Sequence, residues 1–161
     1  MIQRVQSLYL LLSIALLSLL YVFPFLIFDG NSGDISFSMF GSQMQRADGS
    51  AIANDADLIP IILSATAAFF AFIAIFLFKK RNIQLIFSYI AVITVLILLG
   101  WFIFTLVSVP GSPLFAEFAP RFNAVKSWGL FFPVLSLLSL FLAIKNIRKD
   151  EQLVRSLDRI R

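Results

Sequence analysis

Few side chains in this sequence are equipped for chemistry, and none of them is a histidine or a cysteine. Their absence removes thiol nucleophiles, disulfides, haem ligation by His and the usual zinc ligand sets together. Hydroxyls remain, and Ser64, Ser136 and Ser139 lie within long apolar runs. A serine nucleophile needs a base beside it. Yet the runs 5–28, 58–78, 83–109 and 127–144 contain no Asp, Glu, Lys, Arg or His. Hydroxyls in such a setting are expected to bond back to the carbonyls of their own helix. Ion and proton pathways also need ionisable groups facing a bundle interior, so proton-coupled transport by a monomer is not expected. Between the last two runs, Glu117, Arg121 and Lys126 carry charge, but three scattered residues are expected only to anchor a loop. The sequence thus predicts no catalytic residue, no cofactor and no metal site, and the chain reads as a non-enzyme.

The remaining reactive groups are cations. Lys79, Lys80 and Arg81 are consecutive and separate two uncharged runs, and residues 145–161 carry six more Lys and Arg. Projected at 100° per residue, Lys145, Arg148, Lys149, Arg155 and Arg159 collect on one side of that tail and Ile147, Leu153, Val154, Leu157 and Ile160 on the other. An amphipathic helix of this kind suits anionic lipid headgroups or the surface of a partner protein. The candidate binding residues are therefore Lys79, Lys80, Arg81, Arg148, Lys149, Leu153, Arg155, Leu157, Arg159 and Ile160. A calculated pI of 9.8 would elsewhere suggest nucleic acid. In a chain this apolar, excess Lys and Arg instead set membrane orientation, and nucleic acid is not the expected partner.

The elements that must position these groups follow from composition. At 161 residues, 60% hydrophobic and 14% charged, the chain lies outside the soluble range and is expected to be integral to a lipid bilayer. Its length allows about four spans of about twenty residues. The fold expected is an all-α membrane protein: a single four-transmembrane-helix domain over 1–161, with spans at 5–28, 58–78, 83–109 and 127–144 and a tail at 145–161. The first run is read as a retained helix and not a cleaved signal peptide, because it is long and ends without small residues. The acidic stretch 29–57 is an external loop. Within it Ile35-Ser36-Phe37-Ser38-Met39 alternates apolar and polar, the pattern of a short hairpin or of an irregular loop touching headgroups.

Pro60 falls in the first turn of the second span, where its missing N–H costs nothing. Ser64, Ala67, Ala68, Ala71 and Ala74 line one side of that span and let another backbone approach. After Pro110-Gly111-Ser112-Pro113 ends the third run, Phe115, Phe118 and Phe122 are spaced for a short interfacial helix. With the N-terminus, the 79–81 turn and the tail in the cytoplasm, ten cations lie inside and three outside. That ratio predicts an N-in/C-in layout.

Both ends carry distinctive residues: Met1 to Leu10 reads MIQRVQSLYL, and Lys149 to Arg161 reads KDEQLVRSLDRIR. On these, and on span count and loop order, the chain resembles a small four-helix inner-membrane family of Bacteroidota catalogued as a domain of unknown function. The resemblance implies a bacterial inner-membrane location with both termini cytoplasmic, and no assigned reaction. Two functional expectations follow. One is a non-enzymatic accessory or assembly subunit that contacts a membrane-protein partner through the tail and the 79–81 turn. The other is an oligomeric channel or carrier for an apolar or lipid-like solute, in which broken outer helix ends open a vestibule.

Overall fold

A computed structural model describes residues 3–30, 33–46, 51–55, 57–78, 80–108 and 128–158. Four helices and four strands are present among them: α1 (Gln3–Leu19), β1 (Leu26–Gly30), β2 (Gly33–Ser38), β3 (Gly41–Arg46), β4 (Ala51–Asp55), α2 (Ile59–Phe76), α3 (Arg81–Ser108) and α4 (Phe131–Asp158). Each helix of the pair α1 and α3 packs between α2 and α4, so the four close a ring.

The ring is built on one repeated spacing. Buried positions fall at Gln6, Leu10, Ser13, Leu17 and Leu20 along α1, and at Pro60, Ser64, Ala67, Ala71 and Ala74 along α2. On α3 they include Gln84, Ser88, Ala91, Val95, Leu98 and Phe102, and on α4 Pro133, Ser136, Leu140, Ala143, Ile147 and Asp150. Every line alternates steps of three and four, the seam by which left-handed bundles interlock. Alanine dominates the α2 line, and Ala67, Ala71 and Ala74 are fully buried, which permits close backbone approach where lipid offers no hydrophobic incentive. Ala68, beside this line, is half-buried.

The outward faces are also apolar. Phe69, Phe72 and Phe76 of α2, Ile93 and Ile97 of α3, and Leu138 and Phe141 of α4 are all exposed. A helix apolar all round is a buried or membrane helix. Three helices are long and apolar enough to cross a membrane: Ile59–Phe76, Arg81–Ser108 and the Phe131–Leu153 part of α4. The seventeen residues of α1 reach about 25 Å, against about 30 Å of bilayer hydrocarbon.

Three expectations need correction. The first run does not stay helical to Phe28. After Leu19 the amides of Leu20, Tyr21 and Val22 turn to carbonyls three residues back, tightening the last turn. Pro24 cannot continue the helix, and the Phe25 amide is captured by the carbonyl of Phe37 at 2.9 Å. The segment expected to be an external loop is neither a lone hairpin nor an irregular loop but an antiparallel meander in the order β1-β2-β3-β4, with a register shift at Met44/Gln45. Its β2–β3 turn places Met39 at zero exposure, and Gly41 follows with φ 124°, a conformation that favours glycine. The sheet docks on the bundle through Phe25, Leu26, Phe37 and Met39, with Phe25 stacked on Phe102 at 4.1 Å.

The third correction concerns the C-terminal side. The end expected for the fourth span at Ile144 is no break: the span and the helix expected in the tail run on as α4, one helix of 28 residues. Where the chain leaves α1 and enters α4, the backbones approach so closely that a Cβ on Gly129 would collide with the Pro24 carbonyl oxygen. The expected interfacial helix at 114–122, with Glu117, Arg121 and Lys126, lies outside the described residues.

Candidate functional site

Side-chain contacts fix which ends of the helices meet. The Tyr21 hydroxyl, just past α1, lies 2.9 Å from Ser64 Oγ in the first turns of α2, whereas Gln6 near the start of α1 meets Asp150 late in α4. The start of α1, the α2–α3 turn and the end of α4 therefore share one end of the bundle, and the sheet occupies the other. This first end holds the described ones among the cations on which the sequence places binding.

Arg81 is half-buried, and its Nη1 donates to the backbone carbonyl of Asp150 at 2.9 Å, tying the α2–α3 turn to α4. The Arg148 guanidinium carbon lies 5.4 Å from the centre of the Tyr89 ring, a cation–π contact between α4 and α3. Lys80, Lys145, Arg148 and Lys149 are exposed. Lys80 also begins α3, its carbonyl accepting from the amides of Ile83 and Gln84 at 3.0 Å. Thus Lys80, Arg81, Arg148 and Lys149 are brought together at one end of the molecule.

Beneath this rim the seam turns polar. Asp150 is 6% exposed and accepts a hydrogen bond from Gln6 Nε2 through one carboxylate oxygen, while its Oδ1 is buried without a partner. Gln84 is 1% exposed, and neither its amide nitrogen nor its amide oxygen has a partner. Helices α3 and α4 run antiparallel, with Arg81 reaching Asp150 and Tyr89 reaching Arg148. Gln84 lies between those two rungs and so stands near the level of Asp150. The result is a polar layer of Gln6, Gln84 and Asp150, one residue from each of three helices. Two kinds of chemistry are available there: accepting a donor at Asp150 Oδ1, and both donating and accepting at the Gln84 amide. Among the described residues no group of three or more His, Cys, Asp or Glu could hold a metal ion.

The other predicted residues divide. Leu153 lies on α4 and is 47% exposed. Arg155 and Leu157 fall within the helix without described side chains, and Lys79, Arg159 and Ile160 lie outside the described residues. The serines behave as expected at Ser64 and Ser139, which donate to the carbonyls of Ile61 and Ser136 at 3.0 and 2.8 Å. Ser136 instead faces Ser13 across α1 and α4, the two hydroxyl oxygens 2.7 Å apart. Sequence reasoning missed Gln6, Gln84 and Asp150 as interior groups. The signal was available, because extending each apolar line by one step of three or four lands on a polar residue.

The model of one protein family, a domain of unknown function (DUF4293), matches residues 2–160. The chain belongs to that family. None of the curated proteins matches it. In this DUF4293 chain the matched stretch takes in all eight described elements, so the sheet and the basic end both belong to the family's unit and neither is an appendage to it.

Proposed function

We propose that this protein is a non-enzymatic accessory or assembly subunit of a larger inner-membrane complex, with its basic end in the cytoplasm as the surface that meets the partner. The observation that carries this reading is the continuity of α4, which runs from an apolar membrane-compatible segment straight into the basic tail. A helix joined to a packed bundle needs no nucleus of its own, whereas an isolated helix of that length is marginal in water. Arg81 and the Arg148–Tyr89 contact add support by holding cations in fixed places on two helices. Anionic lipid headgroups would attract each such cation by about 1 kcal/mol and help orient the surface. Charge asymmetry supports the N-in/C-in layout, with ten cations at the basic end and three elsewhere. For the channel reading, most of the seam of a single copy is filled by Leu, Ala, Val and Ile side chains, with buried serines and the polar layer among them, so any conduit would have to form between copies.

The test is purification of the full-length protein in mild detergent, followed by native mass spectrometry. A stoichiometric foreign membrane protein is expected, and its loss on truncation after Lys149 would place the contact on the tail. A lone homo-oligomer that survives that truncation would overturn the reading in favour of a channel or carrier.

A further inference from the structure

At the opposite end, where the sheet meets α2 and α3, a half-open cavity of about 160 Å³ is walled by Phe25, Phe37 and Trp101 and rimmed by Ser38, Ser42, Asp57 and Thr105. Three of its four polar rim side chains are committed to accepting. Thr105 spends its hydroxyl proton on the carbonyl of Trp101 at 3.0 Å, and Ser38 spends its own on the carbonyl of Gly41 at 3.2 Å. Asp57 is a carboxylate that uses Oδ1 to accept from the Ile59 amide at 3.0 Å at the start of α2, which leaves the other oxygen for a donor. Aromatic walls with a carboxylate at the mouth favour a cation over a neutral or anionic group. The walls are also fixed in place, since Phe25 is held by its stack on Phe102. In size, an apolar cavity of about 150 Å³ takes a molecule like benzene.

From these features we infer that the cavity binds the primary ammonium end of an amphiphile, the ammonium against Asp57, Ser38 and Thr105 and the first few carbons against Phe25, Phe37 and Trp101. An ammonium has three donors and no acceptor, the complement of this rim. A free alkylamine and the ethanolamine headgroup of a phospholipid offer the same chemistry.

The experiment uses the full-length protein carrying Trp128→Phe, in phosphatidylcholine nanodiscs at pH 7, so that Trp101 is the sole indole. Hexylammonium, hexanol and hexanoate are titrated against its emission. Hexylammonium is expected to saturate at least about tenfold tighter than hexanol, with no saturable response to hexanoate. Asp57→Asn keeps an oxygen for the Ile59 amide and removes the charge, so the fold is retained while hexylammonium affinity drops by about tenfold or more. Equal affinities for hexanol and hexylammonium, or an unchanged affinity in Asp57→Asn, would overturn the inference. Replacing phosphatidylcholine with phosphatidylethanolamine identifies the source: weakened hexylammonium binding assigns the site to the lipid headgroup, and unchanged binding assigns it to a free amine.

Discussion

Two glycines show how much a single position depends on its neighbours. A Cβ at Gly129 would meet the Pro24 carbonyl oxygen at 2.3 Å and Phe25 Cα at 2.6 Å, both backbone atoms that cannot swing aside. Gly129→Ala should therefore cost about 1–3 kcal/mol, as overpacking usually does. Gly100, inside α3, has nothing within 4 Å of its added Cβ, so Gly100→Ala should gain up to about 1 kcal/mol from helix propensity. Opposite shifts of the melting temperature in one detergent would verify the pair. The polar layer makes a sharper case. A buried group without a partner costs about 1–3 kcal/mol, and Gln84 has two such atoms, so Gln84→Leu should raise thermal stability. Asp150→Leu alone should lower it, because the Gln6 amide would lose its acceptor. Adding Gln6→Leu should then recover part of the loss, a coupling that a double-mutant cycle measures directly.

Among the elements, α2 and α3 were the most legible. The helix predicted at 58–78 is observed over 59–76 and that at 83–109 over 81–108, because proline and cation boundaries coincide there with the limits of the apolar runs. The alanine line of α2 was legible too, and it carries a prediction. Ala71→Leu should destabilise the bundle by about 1–3 kcal/mol, and Ala68→Leu by less, since Ala71 is fully buried and Ala68 only half. Chemical or thermal unfolding in detergent would rank them. The end of α1 was not legible, because Phe25 and Leu26 are as apolar as a span requires yet are buried against a sheet. Composition alone cannot separate a side chain hidden from water by lipid from one hidden by a strand. Most of the sheet was invisible for a different reason: β4 reads Ala-Ile-Ala-Asn-Asp, and its pairing with β3 rests on backbone hydrogen bonds and not on a distinctive alternation. Continuity of α4 was readable in principle, since no glycine or proline falls between Phe141 and Asp158. Of the candidate site, the exposed cations were legible as a charge pattern, whereas the buried Asp150 shows only when the apolar line of α4 is extended by one step, because it stands among the charges of a tail expected to be solvated.

At the scale of the whole molecule, one geometric fact joins the charge pattern to a layout in the membrane. The contacts of Gln6 with Asp150 and of Arg81 with the Asp150 carbonyl gather the start of α1, the α2–α3 turn and the end of α4 at one end. Any orientation must carry these three together, and together they hold the cations. Moving that end to the outer face would take ten Lys and Arg across the bilayer in place of three, against the rule that sets orientation in short flanking segments. The seventeen residues of α1 do not block this layout: a helix slightly shorter than the hydrocarbon is accommodated by local thinning at a fraction of a kcal/mol per Å. Reporter fusions decide the matter. A phosphatase that is active only outside the cytoplasm should be active when inserted after Gly49 and silent after Lys80 or Arg161. A silent fusion at Gly49 together with active ones at Lys80 and Arg161, and with Met1 outside the cytoplasm, would invert the molecule. The same fusion pattern with Met1 still in the cytoplasm would mean that α1 lies along the surface and leaves the sheet on the inner side.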